Sequence, residues 1–250
     1  MDEAVRRALA PTMEEIRREP ASSNARVASE LLGEGGGAAL DIGCGEGKFT
    51  RALAGLFGRV SGVDVKPAPI AKAVAAAREA GVTIDFRVAS GDALPYADAG
   101  FDMVVFSNSL HHMPVPERAL AEAARVLKPG GRLYVMEPVP SGNYFEATRL
   151  VNDETAVRTE AYHALRRLPG FTSLVERMYR STRTFSGFEE WRAEQIDMDG
   201  KRRARFEARP EEVRRTFESA ADRRADGSLS FEQLFRVNLL RKTDARPRPA

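Results

Sequence analysis

The sequence predicts an α/β fold built on a doubly wound, mostly parallel sheet. Between residues 38 and 137, short apolar segments alternate with segments of helical periodicity. The first apolar segment runs directly into a glycine-rich turn and then a helix, the order found at ligand sites of such sheets. Apolar strands that alternate with helices are buried on both faces, which indicates a parallel sheet with helices on each side.

The predicted elements follow one another closely along the chain. Two N-terminal helices are expected at 4–18 and 23–32, and the glycine run 33–37 ends the second. The apolar, β-branched segments predict strands at 38–42, 60–65, 83–88, 101–107 and 132–137. The intervening segments predict helices at 48–57, 69–80 and 116–127, and Lys128-Pro129-Gly130-Gly131 predicts a turn before the fifth strand. Beyond residue 137, helical stretches are expected at 145–168 and 189–221, and strands at 174–185 and 229–242.

The most informative segment is Asp41-Ile42-Gly43-Cys44-Gly45-Glu46-Gly47. Glycine lets the backbone turn sharply and lets a ligand approach where a Cβ atom would collide. The spacing is G-x-G-x-G, whereas dinucleotide folds use G-x-G-x-x-G. A carboxylate at Asp41 would repel a diphosphate and attract a cation. The loop therefore favours a cationic cofactor and disfavours a nicotinamide-dependent dehydrogenase.

This segment resembles the first motif of class I S-adenosylmethionine-dependent methyltransferases, and the resemblance extends over residues 38–137. It implies a Rossmann-like, seven-stranded sheet, completed by 174–185 and 229–242 as an antiparallel pair. It also implies S-adenosylmethionine as cofactor, S-adenosylhomocysteine as product and no metal. The cofactor-binding residues that it implies are Asp41, Gly43, Cys44, Gly45, Asp64, Val65, Asp92, Ala93, Ser107 and Asn108.

Two carboxylates have specific expected roles in this resemblance. Asp64, at the end of the second strand, would accept hydrogen bonds from the ribose hydroxyls; the alternative is a helix cap. Asp92 would take the exocyclic amine of adenine; the alternative is an Asx turn. Asp64 would suit a nicotinamide cofactor equally well, so it does not discriminate between cofactors.

Three residues are candidates for catalysis. His111 and His112 follow the fourth strand, and histidine is the side chain whose ordinary pKa lies closest to cellular pH. Their alternative roles are capping and packing. Glu137 ends the fifth strand and could orient a substrate amine or hydroxyl, or anchor a loop. A two-histidine metal site is not expected, because no carboxylate or third histidine lies at ligand spacing in the sequence.

The charge, the cysteine count and the lengths of the apolar runs limit which partners and which cellular location we expect. The formal net charge is +2, and residues 199–226 carry charges of both signs. We therefore expect no positive electrostatic field that would attract nucleic acid. Cys44 is the only cysteine, which excludes an intramolecular disulfide and a multi-cysteine metal site. No apolar run is long enough to span a membrane, and the first twenty residues do not resemble a signal peptide. We expect a cytoplasmic protein that binds a small-molecule partner and does not associate with a membrane. A homodimer is possible.

The expected domain organisation places a helical lead-in at 1–37 and the cofactor-binding core at 38–141. Helical insertions and the strand pair occupy 142–243, and a disordered tail follows at 244–250. The helical parts would form a lid over the carboxyl ends of the strands. The expected reaction is in-line transfer of a methyl group to a small molecule. The alternatives are a cyclase or lyase that uses the same cofactor, a silent partner subunit, and a methyltransferase for RNA or protein.

Overall fold

The computed structural model describes residues 21–33 and 36–243. The helix expected at 4–18 and the tail expected at 244–250 lie outside the described residues. The α-helices are α1 Asn24–Leu32, α2 Lys48–Leu53, α3 Pro67–Glu79, α4 Pro116–Val126, α5 Asn143–Thr148, α6 Thr155–Arg166, α7 Phe188–Met198, α8 Arg202–Ala208 and α9 Pro210–Ala220. The strands are β1 Ala38–Ile42, β2 Arg59–Asp64, β3 Asp85–Val88, β4 Phe101–Ser107, β5 Leu127–Pro138, β6 Phe171–Phe185, β7 Asp222–Arg223 and β8 Leu229–Lys242.

The strands form one sheet in the order β3-β2-β1-β4-β5-β8-β6, and the two-residue β7 pairs with β8. The neighbours from β3 to β5 are all parallel. The predicted α/β class and mostly parallel sheet are therefore confirmed. The strand order reverses between β1 and β4, and in open α/β sheets ligands bind outside the carboxyl ends of the strands at such a point.

The chain divides into two compact units. Among the described residues, the sheet unit comprises 23–33, 36–137, 159–177 and 236–243, and the helical unit comprises 21–22, 138–158 and 178–235. Both units are discontinuous in sequence, because β6 and β8 each contribute residues to both. The expected organisation divides the chain instead into consecutive segments.

Each unit has its own hydrophobic core. In the sheet unit, apolar side chains of β1, β4 and β5 pack with α4, including Leu40, Val104, Leu120 and Val135. In the helical unit the core is largely aromatic, and its centre is the stacked pair Trp191 and Phe217, with ring centroids 4.6 Å apart. Aromatic rings bury large areas, which lets these short helices and strand ends form a core.

Several predicted element boundaries are wrong for local reasons. Helix α2 ends at Leu53, and a tight turn follows in which the N–H of Gly55 donates to the carbonyl of Ala52 at 3.3 Å. The turn predicted at 128–131 is instead part of β5, which starts at Leu127. The pairing of β4 with β5 skips residues 128–131 through a register shift: Phe101 pairs with Leu127, whereas Met103 pairs with Arg132. Such a bulge accommodates the proline and glycines within a strand.

The helical stretch expected at 145–168 is two helices, because residues 149–154 form no helix between α5 and α6. The strands expected at 174–185 and 229–242 are present as β6 and β8, and β6 starts three residues earlier than predicted, at Phe171. The helical stretch expected at 189–221 is present as α7, α8 and α9.

Candidate cofactor-binding and active site

The glycine loop connects β1 to α2, at the point where the strand order reverses. Gly43, Gly45 and Gly47 all have positive φ angles, of 73°, 52° and 71°. A Cβ atom added to Gly43 would lie 2.6 Å from the Cβ of Ser109, so packing excludes any larger residue there. A Cβ atom added to Gly45 would meet nothing within 4 Å. The backbone at Gly45 is therefore open to a ligand, whereas Gly43 serves the packing beneath it.

Asp64 holds this loop in place from the end of β2. Its carboxylate accepts hydrogen bonds from the N–H of Gly45 at 3.0 Å and from the N–H of Lys66 at 2.9 Å. The two bonds use different oxygens, and each carboxylate oxygen can accept a second bond. The neighbouring Val65 is 64% exposed. The end of β2 thus presents a carboxylate and an apolar side chain beside the open loop.

Asp41 lies buried beneath the loop, 1% exposed. Thr50 donates a hydrogen bond from its hydroxyl to Oδ2 at 2.7 Å, whereas Oδ1 has no hydrogen-bond partner within the described part of the chain. Burial raises the pKa of Asp41 to about 7, and the charge of Asp64 adds to this effect. From the sequence alone, Asp41 is expected to be a fully ionised carboxylate. In the folded protein the charge of Asp41 depends on pH near neutrality.

Asp92 is half-buried in the loop after β3. Ser90 donates a hydrogen bond from its hydroxyl to the Asp92 carboxylate at 2.5 Å. An Asx turn at Asp92 would use the N–H of Leu94, but that N–H donates to Glu122 at 2.7 Å. The turn alternative is therefore wrong for this side chain. Ala93 follows Asp92 with its side chain exposed.

Arg125 and Glu122 on α4 fix the loop that contains Asp92. Neither residue was a candidate from the sequence. Arg125 donates to the carbonyls of Leu94 and Tyr96 at 3.1 and 2.8 Å. It also pairs with Glu122 at 2.7 Å, and this guanidinium lowers the pKa of the Glu122 carboxyl. The only signal in the sequence is the spacing of three residues, which places both side chains on one helix face.

The loop after β4 approaches the glycine loop from the other side. Ser107 is half-buried at the end of β4, and Asn108 is exposed with a positive φ of 56°. The N–H of Asn108 donates to the carbonyl of Met136 at 2.8 Å. Ser109, also missed from the sequence, donates from its buried hydroxyl to the carbonyl of Ile42 at 2.6 Å. This bond joins the β4 loop directly to the end of β1.

Glu137 and His111 are brought together by the short 3-10 helix Leu110–His112. The Glu137 carboxylate accepts from the N–H groups of Ser109 and Leu110 at 3.1 and 2.8 Å and pairs with Nδ1 of His111. His111 is 5% exposed, whereas the side chain of His112 is exposed and its ring centroid lies 3.9 Å from that of His111. Glu137 thus makes the anchoring contacts that the sequence analysis kept as the alternative to substrate binding.

Residues 40–135 match the sequence profile of a family described as a methyltransferase domain. This segment contains the glycine loop, Asp64, Asp92 and His111, on a sheet whose strand order is β3-β2-β1-β4-β5. It is a class I methyltransferase domain. The cofactor of this class is S-adenosylmethionine.

Individual proteins resemble the chain over different lengths. The 27-O-demethylrifamycin SV methyltransferase of Amycolatopsis mediterranei is 37% identical over 132 residues, which are 50% of this chain and 48% of that protein. The chain thus spans about half the length of this curated relative. A candidate methyltransferase structure from Bacillus halodurans C-125 has a TM-score of 0.66 at 20% identity, covering 89% of this chain and all of that one. The [4+2]-cyclase SpnF has a TM-score of 0.62 at 27% identity, covering 88% and 80%.

The residues of the methyltransferase domain fit its cofactor. The open side of Gly45 leaves room for the methionine part, and the remaining acceptor sites of Asp64 suit ribose hydroxyls. Val65 is an exposed apolar side chain and the Asp92 carboxylate is a hydrogen-bond acceptor, which are the kinds of group that an adenine ring and its amine would need. Oδ1 of Asp41 is buried and accepts no hydrogen bond from any described residue, so it adds a negative potential under the loop when the carboxyl is ionised.

Cys44 contributes packing to the methyltransferase domain. Its side chain is buried, and an atom added at Gly62 would lie 3.1 Å from its sulfur. Burial, with further contributions from Asp41 and Asp64, raises the pKa of the thiol far above its ordinary value. The thiol therefore stays protonated and is not a nucleophile.

None of the helices among the described residues has the length and the apolar composition that a membrane span requires.

Proposed function

We propose that the protein transfers a methyl group from S-adenosylmethionine to an oxygen, nitrogen or carbon atom of a small-molecule acceptor. The observation that carries this proposal is the glycine loop with an open Gly45, anchored by Asp64 at the strand-order reversal of a methyltransferase domain. When bound, the cofactor supplies a methyl group on a positively charged sulfur, which is already activated for displacement. The protein then needs to align and enclose the reactants.

The cofactor-binding residues would act mainly by alignment. Alignment of two reactants can lower the barrier by about 7–11 kcal/mol. Asp64 and Asp92 would fix the nucleoside by charge-assisted hydrogen bonds, while Gly45 would let the cofactor approach the backbone closely and Gly43 would keep the loop packed on Ser109. Ser107 and Asn108, at the end of β4, would border the methionine part. None of these groups needs to act as a nucleophile.

His111 is our candidate for proton removal from the acceptor, and Glu137 is its positioning residue. A carboxylate paired with Nδ1 fixes the tautomer and the orientation of a histidine ring. Glu137 also fixes the turn that carries His111, through the N–H groups of Ser109 and Leu110. His112, adjacent and exposed, is the second candidate. A positioned base contributes about 10²–10⁴ in rate.

A small-molecule acceptor is supported by charge and by the relatives. The formal net charge is only +2, so a polyanionic substrate has no matching field. The named relative from Amycolatopsis mediterranei is a methyltransferase for 27-O-demethylrifamycin SV, a small molecule. Since that name denotes a missing O-methyl group, hydroxyl compounds are the first acceptor class to test.

Calorimetric titration tests cofactor binding. The wild-type protein should bind S-adenosylmethionine, and Asp64→Ala should weaken binding by at least about tenfold, since charge-assisted bonds contribute about 1.5–3 kcal/mol each. Asp85→Ala is the matched control: it removes a carboxylate from β3 that pairs with Arg87 at 2.8 Å. Its affinity should equal that of the wild type. Undetectable binding of the wild type at millimolar cofactor would reject the proposal.

Incubation with methyl-labelled cofactor and a set of hydroxyl and amine metabolites tests the transfer itself. We expect labelled product and S-adenosylhomocysteine in equal amounts. Glu137→Gln should lower kcat more than it raises the KM for the cofactor, if Glu137 acts through His111. An equal loss in Asp85→Ala would show that such an effect is not specific to the site.

The likeness to the [4+2]-cyclase SpnF supports a second candidate, a cyclase that binds the same cofactor without transferring its methyl group. Fold and binding loop do not determine the reaction. Product formation without S-adenosylhomocysteine would establish this candidate and exclude methyl transfer for that substrate.

A further inference from the structure

We propose that a cleft in the helical unit binds a small oxyanion that carries an apolar group. We call it the arginine cleft, after Arg149, Arg205 and Arg209, which line it. Its volume is about 630 Å³, within the ~300–1,000 Å³ of small-molecule sites. All of its lining residues belong to the helical unit, and none belongs to the methyltransferase domain.

The two walls of the cleft come from different segments. One wall is a face of α8, where Ala204 and Ala208 lie one helical turn apart. Their small side chains leave space between the arginines beside them. The other wall is the non-helical segment after α5, including Leu150. Arg205 joins the walls by donating from Nη1 to the carbonyl of Val151 at 2.7 Å, which fixes their separation.

The charge of the cleft is positive, with three guanidinium groups against the single carboxylate of Asp153. That carboxylate is already engaged. One of its oxygens accepts from both the N–H and the hydroxyl of Thr155, at 3.0 and 2.7 Å, and these bonds lower its pKa. Asp153 therefore secures the start of α6. Its ionised carboxylate offsets one of the three guanidinium charges, so the side chains that line the cleft keep a net positive charge.

Two of the arginines are held only weakly. Arg149 pairs with Glu146 at 3.3 Å, and both side chains are more than half exposed. Arg209 pairs with Glu212 at 3.7 Å, again at the surface. Exposed pairs of this kind contribute about 0–1 kcal/mol, so a ligand oxyanion can replace either partner at little cost. Arg149 and Arg209 can therefore turn to a ligand while Arg205 keeps the cleft open.

The chemistry of the lining defines the ligand class. Guanidinium groups bind carboxylates and phosphates through paired hydrogen bonds. Leu150, Ala204 and Ala208 offer apolar contact but no hydrogen bond from their side chains. The ligand should therefore combine an oxyanion with a small hydrophobic body, as a phosphate monoester or an aromatic carboxylate does.

The test uses the full chain, without S-adenosylmethionine, so its result is independent of the proposed methyl transfer. Phenyl phosphate, benzoate and inorganic phosphate are titrated by calorimetry at constant ionic strength. We expect saturable binding of phenyl phosphate or benzoate, and the tighter of the two identifies the oxyanion. Inorganic phosphate should bind more weakly, because it lacks the apolar group. Inorganic phosphate binding as tightly as phenyl phosphate would overturn the apolar part of the proposal.

Charge reversal locates the binding. Arg149→Glu and Arg209→Glu should each weaken the binding of the tighter probe by at least about tenfold. Arg203→Glu is the control, since Arg203 is exposed on the same helix but does not line the cleft. Unchanged melting temperatures without probe will show that the variants are folded. Absence of saturable binding to wild type, or equal weakening in Arg203→Glu, would overturn the proposal.

Discussion

Ser109 donates a hydrogen bond of 2.6 Å from its buried hydroxyl to the main-chain carbonyl of Ile42, the last residue of β1. Its Cβ atom also occupies the space that a side chain at Gly43 would need. The N–H groups of Ser109 itself and of Leu110 donate to the Glu137 carboxylate. One serine therefore connects the cofactor loop with the turn that carries His111.

Ser109→Ala should destabilise the protein by about 1–2 kcal/mol, because it leaves the buried Ile42 carbonyl without this donor. Urea denaturation measures the loss. Ser29→Ala is the control, since Ser29 is exposed on α1. The substitution should also weaken cofactor binding, because the glycine loop loses a support. Wild-type values for both stability and affinity would contradict this role.

Gly45→Ala should separate backbone strain from ligand contact. Gly45 and Gly81 both have positive φ, of 52° and 66°, and neither has a neighbour within 4 Å of an added Cβ. Alanine at either position should cost a similar 1–2 kcal/mol of stability, roughly the price of left-handed backbone for a non-glycine residue. Only Gly45→Ala should weaken the binding of S-adenosylmethionine, as calorimetry can measure. Equal affinities in the two variants would show that the ligand does not approach Gly45.

Asp41→Asn should change how stability depends on pH. The pKa of Asp41 is raised to about 7 in the folded protein, whereas an unfolded aspartate titrates near its ordinary value. The folded state therefore holds this proton more tightly. Its contribution to stability is fully present below about pH 4 and is lost as pH rises through about 7.

Asp41→Asn removes this loss of stability at rising pH, and its amide oxygen can still accept the hydrogen bond from the Thr50 hydroxyl. Relative to the wild type, its free energy of unfolding should rise between pH 5 and pH 8 by a few kcal/mol, at about 1.4 kcal/mol for each unit of pKa difference. Denaturant titrations at both pH values give the comparison. A constant difference between the two proteins across this range would show that Asp41 is ionised throughout.

Arg125→Lys should weaken cofactor binding although Arg125 is on α4 and is not among the cofactor-binding candidates. Lysine cannot reproduce the forked bonds to Glu122, Leu94 and Tyr96 that hold the loop of Asp92. We expect about a tenfold loss of affinity by calorimetry, equivalent to about 1.4 kcal/mol. The same substitution at Arg118, which is exposed on α4, should have no effect. Equal affinities of the Arg125→Lys and Arg118→Lys variants for the cofactor would show that the hydrogen bonds of Arg125 do not support adenine binding by the loop of Asp92.

The sequence determined the α/β class, the order of the elements, the glycine loop and its resemblance to a methyltransferase. These features depend on local patterns: apolar periodicity, glycine spacing and the residue at each strand end. Strand β8 matches its predicted bounds for this reason. The turn predicted at 128–131 failed because pairing with β4 overrides the local preference of proline and glycine through a bulge.

Only the tertiary structure decided which side chains meet. The burial of Asp41, and hence its raised pKa, depends on the elements packed around β1. The bonds of Ser109 to Ile42, Glu137 to His111 and Arg125 to the Asp92 loop join residues that lie far apart in the chain. A single sequence contains no periodicity that specifies such pairs. The first two arise because parallel strands bring their carboxyl ends to one edge of the sheet, and the third arises because α4 packs beside the loop that precedes β4.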